Sequence, residues 1–284
     1  LPQMMQQNMA TKDQYKDCIL FYRLGDFYEM FFDDALVASK ELEITLTGKN
    51  CGQEERAPMC GIPYHAADSY LTKLVNKGYK VAICEQVEDP KLAKGIVKRE
   101  VIRIVTPGTN LNMMSLEESR NNYLMCIAYT EDKIGIAVVD ALTGDFYVTE
   151  VSDTKKLNDE IVKFSPSEII CNDNFLVSGY SIDDLRERLG ISINKIDAWH
   201  FEEDSCQKLL CKPFKVNTLT ALGVDDFMAG QIAAGAVLAY LYETQKNSLS
   251  NITHLNPYIA SKYMLLDSAT SRHLELTETL REKQ

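Results

Sequence analysis

The sequence predicts a mixed α/β fold divided into two domains. Its 284 residues exceed the roughly 100–200 residues of one ordinary domain. Hydrophobic residues make up 45% of the chain and charged residues 25%, so there is enough apolar surface to form packed cores. Short apolar runs of strand length alternate with longer segments whose apolar residues recur at helical spacing. Together these observations exclude a chain that is disordered throughout.

The first domain is expected to mix strands and helices. Residues 18–24 form a short apolar run that suits a buried strand. From Phe27 to Leu42, apolar residues recur at helical spacing, which predicts a helix. A second helix is predicted over 66–76, and Gly78 is a typical stop for it. Further strands are predicted at 44–47, 79–87 and 97–105, with a polar loop at 49–59.

The second domain is expected to open with a meander of three antiparallel strands. Two short turns, Glu131-Asp132 and Thr143-Gly144, separate three strand-like runs. A long helix rich in Ala and Gly, which permits close packing, is predicted near the end of this domain. The predicted strands are 123–130, 133–140, 145–151, 168–171 and 192–196, and the predicted helices are 154–164, 182–189 and 230–246.

The last residues are expected to begin a third, helical element. Leu274, Leu276 and Leu280 lack an obvious partner, which suggests that the chain stops partway into that element. A shift toward acidic composition and the polar stretch after Pro107 and Gly108 indicate the boundary between the two main domains. The predicted domains are 1–112 and 122–250, with a linker at 113–121 and a truncated element at 251–284, within which 258–264 and 269–281 have apolar patterns.

The charge of the chain limits how it can bind nucleic acid. It holds 30 Lys and Arg against 41 Asp and Glu, a net charge of −11 at pH 7. A protein that is basic throughout is therefore excluded, and any contact with DNA or RNA needs a local patch. Residues 72–103 offer such a patch, since they hold eight basic side chains against four acidic ones.

Missing motifs exclude several classes of protein. No apolar run approaches the roughly 18–20 residues that span a bilayer, and no signal peptide is recognisable, so we expect a cytoplasmic protein without membrane contact. The eight cysteines include no C-x-x-C pair, so a disulfide framework is not expected. The four histidines have no metal-ligand spacing, and no P-loop is present. We therefore expect neither a metal nor a cofactor in this chain.

Residues 23–32 allow two interpretations. In the first, Asp26 caps a helix, Glu29 completes a capping box three residues later, and Phe27 and Phe31 lie in the core. Spacing alone favours this interpretation. In the second, Phe27 stands exposed at a strand-to-helix turn, where an aromatic ring can wedge between base pairs. Glu29, two residues on, then accepts a hydrogen bond from a base edge, which contributes selectivity rather than affinity.

The same segment resembles the Phe-x-Glu mismatch-reading motif of the bacterial DNA mismatch repair family MutS. The resemblance covers nearly the whole chain, and His273 departs from it, since the family usually has Asn there. The segments that carry the resemblance follow one another in family order: Gly25-Asp26-Phe27-Tyr28-Glu29-Met30-Phe31, Met59-Cys60-Gly61-Ile62-Pro63-Tyr64-His65-Ala66, Ala82-Ile83-Cys84-Glu85-Gln86, Arg103-Ile104-Val105-Thr106-Pro107-Gly108-Thr109, Ala233-Ala234-Gly235-Ala236, Tyr240-Leu241, Thr244-Gln245-Lys246, Leu266-Asp267, Arg272 and Leu274-Glu275-Leu276.

The resemblance implies roles for particular residues. Phe27 would stack on the mispaired base from the minor groove, and Glu29 would hydrogen-bond that base. A mispair costs less to unstack than a matched pair, so deformability of the duplex supplies specificity. Basic residues would contact phosphates, although a solvated surface explains the same charges. The candidates for phosphate contact are Lys73, Lys77, Lys94, Lys98 and Arg99.

The resemblance also implies partners and a domain plan. The partner would be double-stranded DNA with a mismatch or small loop, together with a second copy of the protein and a downstream repair factor of the MutL type, at the bacterial nucleoid. ATP and Mg²⁺ are expected only for the full-length family protein, whose ATPase domain lies C-terminal to the segment resembled here. The first domain would recognise the mismatch, the second would be a connector with a ribonuclease-H-like fold, and a helical core would follow.

The ribonuclease-H-like fold raises an alternative function, that of a metal-dependent nuclease. Its candidate ligands are Asp140, Asp145 and Glu150, because such enzymes bring several carboxylates together on two Mg²⁺ ions. Asp145 and Glu150 are five residues apart on a predicted strand, so they are expected on opposite faces. Turn formation and edge solubility account for these acids as well. We expect a DNA-binding module without catalytic activity of its own.

Overall fold

Two mixed six-stranded sheets, each packed against helices, form the computed structural model, and this confirms the mixed α/β prediction. The structure describes residues 1–52, 54–111, 120–247 and 249–260. The described residues divide into two compact units. The first unit holds residues up to 111 together with 244–246, and the second holds the rest of residues 120–260.

The first unit builds its sheet in the order β3-β4-β2-β1-β5-β6, in which only β1 and β5 run parallel. One face packs against two helices through a core that includes Met30 and Leu71. The other face packs against the N-terminal helix through Met5, Tyr22 and Phe31. The elements are α1 Gln3–Gln14, β1 Ile19–Leu24, β2 Phe27–Phe31, α2 Phe32–Leu42, β3 Thr47–Lys49, β4 Ala57–Pro63, α3 Ala67–Asn76, β5 Val81–Gln86 and β6 Arg99–Val105.

The helix predicted from Phe27 is wrong over its first five residues. Phe27–Phe31 is a strand that pairs with both β1 and β4, and the helix begins at Phe32. The apolar pattern of this short run fits both periods, but burial follows the two-residue period of a strand. Tyr28 and Met30 are buried in one core, whereas Phe31 is buried in the core on the opposite face.

Three other differences concern short or polar segments. The strand predicted at 44–47 lies at Thr47–Lys49, and the loop predicted at 49–59 contains the first residues of β4. Helix α1 was not predicted, because its sequence is polar and only Met5 and Asn8 are buried. The predicted strands 18–24, 79–87 and 97–105 and the helix 66–76 are confirmed with shorter bounds, and Gly78 follows the end of α3 with a φ of 93°.

The second unit contains the predicted meander followed by parallel strands. Its sheet order is β11-β10-β7-β8-β9-β12, with β7, β8 and β9 antiparallel and β10 and β11 parallel to β7. The elements are β7 Leu124–Tyr129, β8 Ile134–Val139, β9 Phe146–Val151, α4 Thr154–Phe164, β10 Glu168–Cys171, α5 Asp173–Leu176, α6 Ile182–Leu189, β11 Ser192–Lys195, α7 Glu203–Cys211, α8 Met228–Gln245 and β12 Asn256–Pro257. The long Ala- and Gly-rich helix is confirmed as α8, whereas α5 and α7 were not predicted.

Only part of the element predicted at 251–284 lies within the described residues. Asn256 and Pro257 pair with Tyr147 and Val148 of β9, so the described residues after 250 continue the second unit's sheet. The predicted pattern at 269–281, most of that at 258–264, and His273 lie outside the described residues. Within the part of the chain that the structure describes, no helix is long and apolar enough to cross a membrane.

Candidate nucleic-acid interface

A two-residue turn places Phe27 at one end of the first sheet. Gly25 has a φ of 57°, a conformation that glycine adopts at little cost, and Leu24 pairs with Phe27 across the turn. A positive φ at the first of two turn residues is typical of the type II′ turns that close hairpins. The carbonyl of Asp26 accepts a hydrogen bond from the Tyr64 amide at 2.8 Å. The turn is therefore held by strand pairing on one side and by the residue that follows β4 on the other.

This geometry corrects both interpretations of the segment. Asp26 is a turn residue and Glu29 lies within a strand, so the capping box is wrong. The core position for Phe27 is also wrong, because its side chain is 48% exposed. The exposed position was expected at a strand-to-helix turn, but it lies at a strand-to-strand turn. The reason is that β2 finds hydrogen-bonding partners in β1 and β4, which local spacing does not reveal.

Phe27 and Glu29 lie on the same face of β2, because alternate residues of a strand share a face. Across the sheet, Glu29 has Tyr22 on one side and Gly61 on the other. Its carboxylate oxygen Oε2 lies 3.3 Å from the ammonium of Lys49. An exposed ring and a partly exposed carboxylate thus stand next to each other along one strand.

A cluster on the opposite face supports the turn. Arg23 donates from Nε to the carbonyl of Gly25 at 2.6 Å, and its guanidinium lies 3.7 Å from the ring centroid of Tyr64. Arg23 also forms an ion pair with Glu85 at 3.2 Å, and the Tyr28 hydroxyl donates to the same carboxylate. Desolvation raises the pKa of Glu85, and the nearby Arg23 charge acts in the opposite direction. The backbone before Phe27 is therefore tied to a partly buried charged pair.

The five predicted phosphate contacts do not form one patch. Lys73 and Lys77 lie on or just after α3, and Lys77 forms an ion pair with Glu41 at 2.9 Å. Arg99 donates to the carbonyl of Arg23 at 2.7 Å and from Nη1 to Gln7 of α1 at 2.9 Å. Its guanidinium therefore ties α1 to the sheet.

The other two lysines lie in the loop 87–98 between β5 and β6. Lys98 pairs with the exposed Glu100 at 3.2 Å, whereas Lys94 is exposed and forms no ion pair with any residue that the structure describes. Because β5 runs parallel to β1, this loop leaves the sheet at the same end as the Gly25-Asp26 turn. Helix α3 starts near that end and runs away from it for about 15 Å. The loop therefore places Lys94 and Lys98 at the Phe27 end of the sheet, whereas Lys77 lies at the far end of α3.

Three residues near Phe27 or Glu29 were not predicted to take part in the site. Lys49 had no motif around it, and its distance of twenty residues from Glu29 hides their contact. Arg23 adjoins the motif but could be assigned no partner from sequence. Tyr64 belongs to one of the segments that carry the family resemblance, and it is 45% exposed at the same end of the sheet as Phe27. The sequence signal for Tyr64 was its place in that segment, since the strand before it, β4, was not predicted.

The acids of the nuclease alternative are occupied by structural hydrogen bonds. The buried Asp140 carboxylate accepts from the backbone amides of Asn122, Leu142 and Thr143 and from the side chain of Asn121. It therefore organises the turn between β8 and β9.

The other two acids do not complete a metal site with Asp140. Asp145 shares the Asn121 amide with Asp140 and accepts from the Thr143 hydroxyl. Glu150 lies about 16 Å further along the strand direction, near the backbone amides of Ala229 and Gly230. Among the residues described, no group of three or more His, Cys, Asp or Glu could hold a metal ion. The arrangement gives no support to two-metal nuclease chemistry.

Comparison with known proteins yields matches over most of the chain. Residues 2–113 match the family model described as MutS domain I, and residues 122–253 match MutS domain II. The whole chain is 65% identical to the DNA mismatch repair protein MutS of Lachnoclostridium phytofermentans, of which it covers 30%. It is 54% identical to the protein of the same name from Acetivibrio thermocellus, over the whole chain and 32% of that protein. The chain thus spans about a third of the length of these curated relatives.

Proposed function

The chain belongs to the MutS family, and from this premise we propose that its first unit recognises mismatched base pairs in duplex DNA during DNA mismatch repair. Phe27 wedges into the minor groove and stacks on the mispaired base, while Glu29 accepts a hydrogen bond from that base. The observation that carries the proposal is the 48% exposure of Phe27 at the end of a sheet, with a carboxylate two residues away on the same face.

Physical reasoning connects this geometry with selectivity for mismatches. Inserting an apolar wedge between two base steps costs a few kcal/mol of stacking, and this cost is lower where pairing is already defective. The carboxylate adds selectivity because DNA phosphates repel it. This repulsion is offset where a base donates a hydrogen bond to the carboxylate. Cations in the loop 87–98 offset that repulsion at the same end of the sheet.

The remaining roles are proposals for the complete protein. The second unit acts as a connector, and ATP hydrolysis with Mg²⁺ belongs to another domain of the full-length family protein, since the family matches here are to domains I and II. A second copy of the protein and a MutL-type factor would be its protein partners. The nuclease alternative is not favoured, because Asp140 is saturated by turn amides and Glu150 is remote from it.

Binding measurements on three variants of the complete protein test the proposal. We expect Phe27→Ala to bind a G·T duplex and its matched control almost equally, since base stacking on an aromatic ring is typically worth about 1–3 kcal/mol. Phe27→Tyr should keep part of the preference because the ring remains. Glu29→Ala should hold or improve binding to matched DNA while the preference falls. Fluorescence titrations with both duplexes measure all three effects.

A matched control separates recognition from stability. Phe32→Ala removes a second partly exposed phenylalanine, 37% exposed, from the other end of β2, and its mismatch preference should be normal. Because Phe27 is half exposed, Phe27→Ala should cost much less stability than the about 3–5 kcal/mol of a buried aromatic. An unchanged mismatch preference in both Phe27→Ala and Glu29→Ala would refute the proposal, whatever their melting temperatures.

A further inference from the structure

Lys49 lies on the same face of the first sheet as Phe27 and Glu29. Directly opposite residues of antiparallel strands share a face, so the pairings Glu29 with Gly61, and Lys49 with Ala57, place both charged residues on one side. Their backbones are four residues apart along β4, about 13 Å. The Lys49 and Glu29 side chains extend toward each other and bridge this distance together, with Lys49 Nζ 5.7 Å from the ring centroid of Phe31 and 3.3 Å from Glu29 Oε2.

The contact leaves part of the Glu29 carboxylate available. A carboxylate has two oxygens that together accept about four hydrogen bonds. Lys49 occupies Oε2, and the hydrogen bonds of the described residues include none to Oε1. Gly61, across the strand from Glu29, contributes no side chain that would cover this oxygen. One oxygen is thus held by a cation while the other remains an acceptor.

Under the proposed function, a bound duplex would cover this ion pair. The side chains of Glu29 and Lys49 are 18% and 31% exposed, and Lys49 is the only cation paired with Glu29 among the described residues. A carboxylate without a cation would repel nearby phosphates from matched and mismatched DNA alike. Removal of water by the duplex strengthens the attraction within the pair because screening falls.

We propose that Lys49 is a specificity-determining residue that acts through Glu29. Its ammonium neutralises and orients the carboxylate through Oε2, and so presents Oε1 to the base edge of a mispair without a general loss of DNA affinity. This inference rests on the proposed function of Glu29. It differs from a direct phosphate contact, in which Lys49 would contribute to binding whether or not Glu29 carried a charge.

A double-mutant cycle in the complete protein distinguishes these roles. The variants are Lys49→Met, which keeps an unbranched apolar stem, Glu29→Gln, and the two combined, each titrated with a G·T duplex and its matched control. In the wild-type background we expect Lys49→Met to weaken matched-DNA binding by about two- to fivefold, the range of a single exposed ion pair, and to lower the mismatch preference. In the Glu29→Gln background the same change should have less than about half of that effect.

A second ion pair provides the control. Lys77 pairs with Glu41 at 2.9 Å, remote from Phe27, so the corresponding Lys77→Met and Glu41→Gln cycle should show no coupling in DNA binding. Equal losses from Lys49→Met in both backgrounds, or no loss in either, would overturn the inference. If Glu29→Gln itself leaves mismatch preference unchanged, the proposed role of Glu29 fails instead, and if Phe27→Ala also leaves it unchanged the proposed function fails, so these failures are distinguishable from failure of the Lys49 inference.

Discussion

At the scale of single residues, the surrounding elements determine whether a side chain is exposed or buried, even when two side chains are identical. Phe27 and Phe31 lie on the same face of the same strand, yet Phe27 is 48% exposed and Phe31 only 5%. The difference arises because α1 covers the Phe31 end of this face, where Met5 and Tyr22 complete a core. The end of this face that α1 does not cover holds the ring of Phe27, which is proposed to contact DNA. Its position depends on the Gly25-Asp26 turn and on the charged pair beneath it.

Removing one member of that charged pair should destabilise the first unit in a pH-dependent way. Arg23→Met leaves the partly buried Glu85 carboxylate without its cation, which should cost about 1–3 kcal/mol at pH 7. The pKa of Glu85 is already raised by desolvation, and loss of Arg23 should raise it further. The folded variant then binds more protons than the unfolded chain above the ordinary pKa of Glu, so its stability falls as pH rises through that range.

Urea unfolding of Arg23→Met at pH 7.5 and pH 5 measures this effect. The deficit relative to wild type should be smaller at pH 5. The double variant Arg23→Met with Glu85→Gln serves as control, because it removes both charges and should recover part of the loss without the pH dependence. A deficit that is the same at both pH values would show that the ion pair is not the cause.

At the scale of elements, close contact between α8 and β8 explains a glycine near the start of β8. A Cβ built on Gly135 would lie 1.9 Å from the carbonyl oxygen of Ala229, a backbone atom that cannot easily move. The size of the residues along α8 is limited in the same way on its other side. A Cβ on Gly235 would lie 2.4 Å from the Cα of Cys206 in α7. The composition of this helix therefore reflects packing on two sides.

Gly135→Ala should destabilise the second unit substantially. Overpacking typically costs about 1–3 kcal/mol, and the upper end is expected here because the obstacle is backbone. Gly61→Ala is the matched control in a strand of the other unit, since its Cβ would lie 3.5 Å from the nearest atom. Denaturant midpoints compare the two variants, and equal midpoints would contradict the packing argument.

At the scale of the whole molecule, the acidic composition requires that the proposed DNA contacts be concentrated in one place. With a net charge of −11, the chain has no general attraction to phosphates, so the proposed DNA binding needs local cations. Of the predicted contacts, Lys94 is exposed in the loop at the Phe27 end, whereas Lys77 is paired with Glu41 away from it. The sequence predicts phosphate contact for both lysines, but their surroundings in the structure differ.

The salt dependence of binding should separate these two lysines. Lys94→Gln should weaken matched and mismatched binding alike and reduce the slope of log K against log salt by about one, as loss of one phosphate contact does. Lys77→Gln should leave the slope unchanged. Titrations between roughly 50 and 200 mM salt give both slopes. Identical slopes for Lys94→Gln and wild type would remove the loop from the proposed interface.

The sequence by itself determined the fold class, the meander, α3, α8 and the family to which the chain belongs. The long run of small residues in α8 is itself a signal, because alanine has the highest intrinsic helix propensity. The family resemblance also predicted Phe27 and Glu29 as the residues that contact a mispaired base. These conclusions need only local patterns or whole motifs, both of which can be read along the chain.

Only the tertiary structure decided that residues 27–31 form a strand, that Arg99 holds α1, and that Lys49 meets Glu29. A five-residue apolar run fits either period, and the hydrogen bonds that settle the matter come from β1 and from β4, some thirty residues later. Ion pairs across twenty or more residues likewise depend on strand register and leave no local pattern. The physical reason is the same in each case: the deciding partner is close in space and distant in sequence.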